Sequence, residues 1–334
     1  MYSILFFILG SLTTFVISQE CVPYSSSYDF SSGYPNLWEV PTSDNFNTDE
    51  FQQVYNSIDW TQVPDIQPHT VVNGDIDQSN YPDSDPDCWW TYNQCSTPNA
   101  PGVQPDVTIC PEPETWGLTY DDGPNCSHNA FYDFLKKNNQ QATMFFIGSN
   151  VADWPKEAKR ALTDGHQICV HTWSHQYMTS LTNEEVVGEL YYTLKAIKYV
   201  CGVTPLCWRP PFGDVDDRVR AIAQQLNFTM TVIWNLDTND WDMEPDGSET
   251  SDQIDSNFQS FVNMGQDGTF ANSGCIVLEH ELNNATMSKA MEWYPKIVNA
   301  YQYVVPIATC MNVTQPYAES NVSYPSFSDY TGTN

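Results

Sequence analysis

The sequence predicts an α/β fold, a closed or nearly closed parallel barrel behind an irregular N-terminal extension. Two observations carry this prediction. From about Asp106 onward, short apolar runs alternate with stretches of helical periodicity, a pattern typical of parallel sheets. Before that point the chain is rich in Ser, Pro, Asn, Asp and Tyr and has little periodicity.

The barrel elements follow one another along residues 106–312. The predicted strands are the short apolar runs 116–120, 142–147, 167–171, 206–209, 230–235, 275–279 and 303–309. The predicted helices between them are 127–138, 154–164, 183–200, 215–226, 251–264 and 286–300. In such folds the chemistry lies at the C-terminal ends of the strands.

The flanking segments have different characters. Residues 1–18 (MYSILFFILGSLTTFVIS) predict a secretory signal peptide, an apolar core followed by small or β-branched residues. This stretch is short for a membrane span and no second one follows, so no membrane span is expected. Residues 313–334 predict a polar tail.

The extension over residues 19–105 is acidic. It holds thirteen acidic residues and no basic ones. Its tryptophans argue against a disordered segment, so we expect it to pack on the barrel; they are Trp38, Trp60, Trp89 and Trp90.

Charge and cysteine content restrict location and partners. The net charge of −30 disfavours nucleic acid and anionic lipid as partners, although solubility alone would also explain it. Ten cysteines behind a signal peptide predict disulfides and a secreted protein, extracellular or in the cell wall or periplasmic space. Five N-x-S/T sequons support a eukaryotic secretory route; they lie at Asn125, Asn227, Asn284, Asn312 and Asn321.

Three disulfides are predicted. Cys201–Cys207 would form a local bridge, Cys110–Cys310 would join the start and end of the barrel domain, and Cys88–Cys95 would staple the extension. Cys169, inside a strand, is expected to be a buried free thiol.

Polar groups follow five of the predicted strands. Strand 116–120 runs into two aspartates, and the later strands run into histidines, an arginine and further carboxylates. In chain order these groups are Asp121-Asp122, His171 and His175, Arg209 to Gly213, Asp237 to Trp241, and Glu279-His280-Glu281. Their convergence at one barrel end predicts an active site.

Each group also has an interpretation without chemistry. Asp-Gly and Gly-Pro are turn signals, and aspartate caps helices, so Asp121 and Asp122 alone could form a turn. His171 and His175 have metal-ligand spacing, and a structural pair fits equally well until a carboxylate from another strand end completes a three-ligand zinc site. Arg209 could form a surface salt bridge, or could orient a nearby carboxylate. Asp240 could be a turn residue, or could orient His280.

The five groups together resemble a known family. TYDDGP, HTWSH, RPPFG, DTNDW and LEH, in this order, resemble the motifs of the polysaccharide deacetylases of carbohydrate esterase family four, which share the NodB homology domain. The resemblance spans about two-thirds of the chain. The cysteines, the sequons and the extension resemble those of the fungal members that deacetylate chitin.

This resemblance implies a distorted (β/α) barrel and a set of site residues. Asp121 would be the general base, oriented by Arg209, and His280 the general acid, tuned by Asp240. One divalent metal, Zn²⁺ or alternatively Co²⁺, would bind the ligands Asp122, His171 and His175. Trp241 and Leu278 would line the pocket for the acetyl methyl group.

The third motif departs from a common form of the family pattern. Phe212 stands where many relatives carry tyrosine. The family uses the backbone N–H at this position to stabilise the oxyanion, so the implied role survives in Phe212. A contact from a tyrosine hydroxyl would be lost.

The implied reaction is removal of N-acetyl groups from N-acetylglucosamine polymers, with chitin as the expected substrate. It agrees with elementary chemistry, since a metal polarises the amide carbonyl and lowers the pKa of bound water. Trp173, Phe212 and Trp241 are expected to stack on successive sugars. The alternatives are deacetylation of acetylxylan or peptidoglycan, and a non-catalytic protein that binds wall glycans.

Overall fold

The structure is a computed structural model that describes residues 26–126, 128–245 and 247–333. The predicted signal peptide, residues 1–18, and Cys21 lie outside these ranges. The same is true of Ser127, the hydroxyl residue of the sequon at Asn125.

The extension contains only short elements. Its helices are α1 (Ser43–Phe46), α2 (Asp49–Tyr55) and α3 (Trp90–Asn93), and a 3₁₀ turn covers Trp60–Gln62. Strands β1 (Val71–Val72) and β2 (Asp75–Ile76) form an antiparallel hairpin.

The barrel sheet is parallel. Its strands are β3 (Thr115–Gly123), β4 (Thr143–Phe146), β5 (Gln167–Val170), β6 (Cys207–Trp208), β7 (Met230–Thr231), β8 (Leu236–Asp237), β9 (Cys275–Leu278) and β10 (Tyr303–Val305). Their order is β7-β6-β5-β4-β3-β9-β8, with β10 beside the first half of β3. Because β7 and β8 adjoin in sequence but stand at opposite ends of this order, the sheet curls into an incomplete barrel. The predicted α/β barrel class is confirmed.

All six predicted helices are present with small shifts at their ends. The helices after the extension are α4 (His128–Lys137), α5 (Gly148–Asp153), α6 (Pro155–Thr163), α7 (Asn183–Cys201), α8 (Asp217–Gln225), α9 (Ser251–Gln266), α10 (Asn284–Ala300), α11 (Ile307–Cys310) and α12 (Phe327–Thr331). The predicted strand 303–309 stops at Val305, since Pro306 is the N-cap of α11. The two-residue strand β8 was not predicted.

Both faces of the sheet are buried. Along β4, Met144 and Phe146 belong to the larger apolar cluster under the helices, while Phe145 belongs to a smaller cluster on the other face. In β5, Ile168 and Cys169 divide in the same way. This alternation is the period of two expected of strands, and burial on both faces is typical of parallel sheets.

Two of the predicted disulfides are present, Cys88–Cys95 and Cys110–Cys310. The prediction of Cys201–Cys207 was wrong, as was that of a free Cys169, because Cys169 is bonded to Cys207. These two cysteines lie on neighbouring strands and both face the smaller cluster, with Cα atoms 5.1 Å apart. Cys201 ends α7 and is buried in the larger cluster as a free thiol.

The acidic extension is fastened to α7 by aromatic and charged contacts. Phe51 is fully buried and stacks on Tyr192, with ring centroids 6.2 Å apart. Lys195 Nζ lies 2.6 Å from a carboxylate oxygen of Glu50 and donates to the carbonyl of Gly33.

A second attachment lies at α8. The guanidinium of Arg220 is buried and pairs with Asp106, with 2.7 Å between nitrogen and oxygen. It also donates to the carbonyls of Cys88 and Cys95, beside the disulfide. Cations of the barrel therefore hold an extension that has none of its own.

The segment predicted as a polar tail packs on the barrel. Tyr317, Tyr324 and Phe327 are buried. The Tyr317 hydroxyl accepts a hydrogen bond from the backbone N–H of Ile168 at 2.9 Å. Residues 313–334 are polar on average, as the sequence indicates. They nevertheless pack on the barrel because these few aromatic side chains are buried there. Within the described ranges, no helix is long and apolar enough to cross a membrane.

We expect the two confirmed disulfides to differ in their contribution to stability. They close loops with sequence separations of 200 and 7 residues. In the chain-entropy model these loops correspond to about 5 and about 2 kcal/mol of unfolding free energy. Urea unfolding of Cys110→Ala/Cys310→Ala should therefore show the larger loss. The matched control is Cys88→Ala/Cys95→Ala, and an equal or greater loss there would contradict the prediction.

Candidate active site

Two adjacent aspartates at the end of β3 face one cleft, which a regular strand would not allow because successive side chains alternate between faces. The pairing of β3 with β4 shifts register between Asp121 and Gly123. Asp122 has a φ of 70°, in the left-handed region. As a result, His171 Nε2 lies 3.7 Å from Asp121 Oδ2 and 3.5 Å from Asp122 Oδ1.

Asp122, His171 and His175 form a cluster suited to a metal ion. Their potential ligand atoms all lie within 4.8 Å of one another. Asp122 Oδ1 is buried without a hydrogen-bond partner among the described residues and lies 3.2 Å from His175 Nε2. One carboxylate and two imidazoles are a common ligand set of catalytic zinc, so the residues present fit a divalent cation.

The electrostatics of the cluster favour an ionised carboxylate. Burial opposes ionisation of Asp122, but the charge of the neighbouring His175 outweighs it and holds the pKa of this carboxyl well below its usual value. An ionised oxygen atom without a partner is what a cation would bind.

Hydrogen bonds fix the cluster from behind. His171 Nδ1 lies 2.8 Å from the carbonyl oxygen of Arg209. Because a carbonyl can only accept, Nδ1 carries the proton and Nε2 presents its lone pair to the cleft. Asn150 in α5 donates to the carbonyl oxygen of Asp122 at 2.8 Å.

Glu189 in α7 holds the loop that carries both histidines. One of its oxygens accepts hydrogen bonds from the backbone N–H groups of Trp173 and Ser174, at 2.7 and 2.8 Å. The other accepts from the Ser174 hydroxyl at 2.5 Å. This fully buried carboxylate fixes the backbone between His171 and His175.

Asn150 and Glu189 were missed by the sequence analysis, although signals for both were present. Asn150 follows predicted strand 142–147, so the strand-end rule applied to it as well. Glu189 is an acidic residue among apolar positions of predicted helix 183–200.

Arg209 and Asp121 form a buried pair. Arg209 Nη1 donates to Asp121 Oδ1 at 2.7 Å and to Thr119 Oγ1 at 2.9 Å, and the exposed fractions of the two charged side chains are 0 and 2%. The guanidinium carbon lies 4.2 Å from the centre of the Phe145 ring. Asp121 therefore keeps Oδ1 on the arginine and turns Oδ2 towards His171.

His280 and Asp240 form a second buried pair. Asp240 Oδ1 lies 2.7 Å from His280 Nδ1, and Oδ2 accepts the backbone N–H of His280 at 2.9 Å. Burial alone would lower the pKa of His280, but Asp240, together with Asp122 and Asp121, raises it to about 10. The imidazole is thus held protonated, with Nε2 available to the cleft.

Phe212 has an unusual backbone and an exposed ring. Its φ is 58°, and among the described residues no backbone carbonyl accepts a hydrogen bond from its N–H. The ring contacts His175 edge-on and stacks on Tyr177, with centroids 4.7 and 4.3 Å away.

A cavity of about 570 Å³ joins these groups. Asp121, Asp122, both histidines of the cluster and His280 line it, together with Phe212, Trp241 and Leu278. Arg209 and Asp240 do not line the cavity; they contact Asp121 and His280 from the protein interior. Trp38, Trp90 and Thr91 of the extension also line the cavity, which was not predicted.

The predicted sugar contact of Trp173 is wrong. This side chain is fully buried, and its indole N–H donates to the carbonyl of Asn36. Glu189 accepts the backbone N–H of Trp173 and so fixes the loop. In this conformation His171 and His175 face the cleft, and the Trp173 indole packs in the interior. His69 and His166 do not line the cavity: His69 stacks on Trp89 with ring centroids 3.8 Å apart, and burial lowers the pKa of His166 to about 4.

Comparisons with known proteins identify the family. A family model described as "Polysaccharide deacetylase" matches residues 108–231. The chain is 54% identical over 320 residues to a protein named "Chitin deacetylase 2" from Cryptococcus neoformans var. grubii, covering 94% of this chain and 70% of the relative. It is 52% identical over 324 residues to a "Chitin deacetylase" from Amylomyces rouxii, covering 95 and 74%.

The fold has a counterpart among solved structures. A chitin deacetylase from Colletotrichum lindemuthianum superposes with a TM-score of 0.57, covering 64% of this chain and 94% of that one. At 22% identity this likeness concerns the fold alone. The two close relatives, covered over 70 and 74% of their lengths, show that the chain belongs to the polysaccharide deacetylase family, in agreement with the matching family model.

Proposed function

We propose that the protein is a metal-dependent hydrolase that removes N-acetyl groups from N-acetylglucosamine residues of chitin, giving chitosan and acetate. One observation carries the proposal: a candidate metal cluster, a carboxylate and a protonated imidazole line the same cavity. The names of the two close relatives support chitin as the substrate.

Asp122, His171 and His175 would hold one divalent cation, most consistently Zn²⁺, with Co²⁺ as the alternative. When bound, the cation supplies Lewis acidity to the amide carbonyl and lowers the pKa of a water molecule in the cleft.

Asp121 is the proposed general base. Its Oδ1 is engaged by Arg209, so Oδ2 is the atom that would take the proton from water. The arginine fixes the carboxylate plane, and a fixed base needs no reorganisation as the proton moves.

His280 is the proposed general acid. With Nδ1 bound to Asp240, the proton on Nε2 is the one that would pass to the leaving amine. Amines are poor leaving groups unless they are protonated, which makes this transfer necessary for amide cleavage. The N–H of Phe212 would stabilise the oxyanion, and Trp241 and Leu278 would contact the acetyl methyl group.

Disulfides and sequons support a secreted enzyme of the extracellular space or cell wall. Four candidate glycosylation sites are exposed, at Asn227, Asn284, Asn312 and Asn321. Asn125 is partly buried, and its side-chain amide donates to the carbonyl of Leu282 at the cavity. We retain the division into a signal peptide over residues 1–18, an extension to residue 105, a deacetylase domain over 106–312 and a C-terminal segment.

The function is tested by acetate release from N-acetylglucosamine oligomers, with and without a chelator. We expect turnover of the tetramer, loss on chelation, recovery on adding Zn²⁺, and poor turnover of the monomer. The monomer fills only part of an open cavity and so loses binding energy. Release from acetylxylan or peptidoglycan fragments but not from chitin oligomers would replace the substrate. Binding without any release would favour a glycan-binding protein.

The roles of the adjacent aspartates are separable by matched substitutions. Asp121→Asn should keep most of its zinc and lose about 10²–10⁴-fold in kcat, the usual contribution of an acid–base group. Asp122→Asn should lose zinc as well, because a charged ligand is gone. Asparagine tolerates the positive φ at position 122, so folding is preserved. Zinc per folded molecule is measured beside acetate release, and equal zinc loss in both variants would contradict this division.

The Asp240 carboxylate sets the pH range of the proposed acid. Its negative charge favours the protonated form of His280, so Asp240→Asn should lower the pKa of this imidazole. Because a general acid must be protonated, the loss of kcat/KM on raising pH should begin about 1–3 pH units lower in the variant. Asp242→Asn is the control, since Asp242 lies two residues from Asp240, outside the cavity lining, and its carboxylate binds Ser248 rather than His280. An unchanged basic limb in Asp240→Asn would argue against this role.

A further inference from the structure

The extension places tryptophan rings in the catalytic cavity. We propose that Trp38, supported by Trp90, forms a sugar-stacking subsite for the N-acetylglucosamine units that flank the unit being deacetylated. This inference rests on the proposed function, and it gives the acidic extension a direct role in substrate selection.

The exposure of Trp38 is the first observation. Among the described tryptophans only Trp38 and Trp241 are exposed, at 47 and 50%, and both line the same cavity. Phe212, exposed at 47%, is a third ring there. Large exposed apolar side chains gathered around one cavity mark a binding surface.

The position of Trp38 is fixed, which is the second observation. Its backbone N–H donates to Ser149 Oγ at 2.8 Å, and that hydroxyl donates to the carbonyl of Trp173 at 2.7 Å. Its φ of 64° is unfavourable for a bulky residue and persists only where surrounding contacts hold it.

These anchors connect Trp38 to the catalytic cluster. Ser149 belongs to α5, the helix whose Asn150 donates a hydrogen bond to the backbone carbonyl of the candidate metal ligand Asp122. A ring held by this helix keeps a constant position relative to the reacting centre. A surface fixed before binding loses little conformational entropy when a ligand arrives.

Trp90 is packed against the segment that follows Phe212. A Cβ atom on Gly213 would lie 2.3 Å from the Trp90 ring, so only glycine allows this contact. The ring meets Trp234 edge-on at 4.9 Å, and the backbone N–H of Trp90 donates to the carbonyl of Val215 at 3.0 Å.

A buried carboxylate fastens this part of the extension. Asp216 caps α8, which leaves the buried Asp214 free for other contacts. Asp214 Oδ1 accepts from the Trp89 indole and the Thr91 hydroxyl, at 2.8 and 2.6 Å. Its Oδ2 accepts the N–H and hydroxyl of Thr179. Asp214 thus ties residues 89–91 to the loop beyond His175.

The strands beside which Trp38 and Trp241 are held lie far enough apart for an oligomer. Trp38 is anchored after β4 and Trp241 follows β8, and three strand spacings separate these strands in the order β4-β3-β9-β8. Three spacings correspond to roughly 14 Å along the sheet edge, which is longer than one pyranose ring. The C–H groups on a pyranose face carry small positive partial charges, which favours contact with the negative face of an indole.

The test compares oligomer lengths. Trp38→Ala should lower kcat/KM for the N-acetylglucosamine hexamer roughly three- to tenfold, mainly through KM, with a smaller effect on the dimer. Trp38→Phe keeps an aromatic face and should restore part of the loss. The matched control is Leu37→Ala, an exposed neighbour outside the cavity lining, which should match the wild type. An unchanged hexamer KM, or equal losses for both lengths, would overturn the subsite.

A binding measurement separates this proposal from the proposed function. Calorimetry compares binding of the hexamer to two proteins, Asp121→Asn and Asp121→Asn/Trp38→Ala. The measurement requires no turnover. We expect roughly three- to tenfold weaker binding by the second protein. If the wild type released no acetate but this difference remained, the proposed function would fail and the subsite would stand. Equal affinities would overturn the subsite whatever the activity.

Discussion

The site depends on the placement of two adjacent carboxylates in one buried cleft. Such carboxylates repel each other unless positive charge lies close by. The broken register of β3 and the positive φ of Asp122 turn both side chains the same way. Arg209 then neutralises Asp121, and two imidazoles face Asp122. A divalent cation at Asp122 would complete this charge balance, and it would let one carboxylate act as ligand while its neighbour acts as base.

Precision in this cleft comes from hydrogen bonds that position the backbone and the imidazoles of the cluster. The carbonyl of Arg209 sets the tautomer of His171, while Asn150 and Glu189 hold the backbone on either side of the cluster. These groups lie on different elements, and the parallel sheet brings them together because the C-terminal ends of its strands share one edge. Arg209 serves twice, through its side chain on Asp121 and through its backbone on His171, so base and ligand are positioned by a single buried residue.

The extension is joined to the barrel by charged contacts in which the barrel supplies every cation. A carboxylate and three carbonyls of the extension accept hydrogen bonds from Lys195 and Arg220 of the barrel helices, and buried aromatic side chains complete the interface. The same interface positions Trp38 and Trp90 at the cavity. An extension without basic residues therefore cannot be regarded only as a solubilising segment, since its removal would also alter the walls of the proposed substrate groove.

The sequence by itself determined the order of strands and helices along the chain and the aspartates and histidines that line the cleft. Apolar periodicity is a local property, and the C-terminal ends of strands in a parallel sheet converge. The sequence alone therefore predicts one site that contains Asp121, Asp122, His171, His175 and His280. Only the tertiary structure decided which side chains face each other across distant segments. It paired Cys169 with Cys207, buried Trp173, and brought Trp38 to the cavity. The physical reason is that the direction of a side chain depends on register, local backbone conformation and packing, and segments far apart in sequence fix all three together.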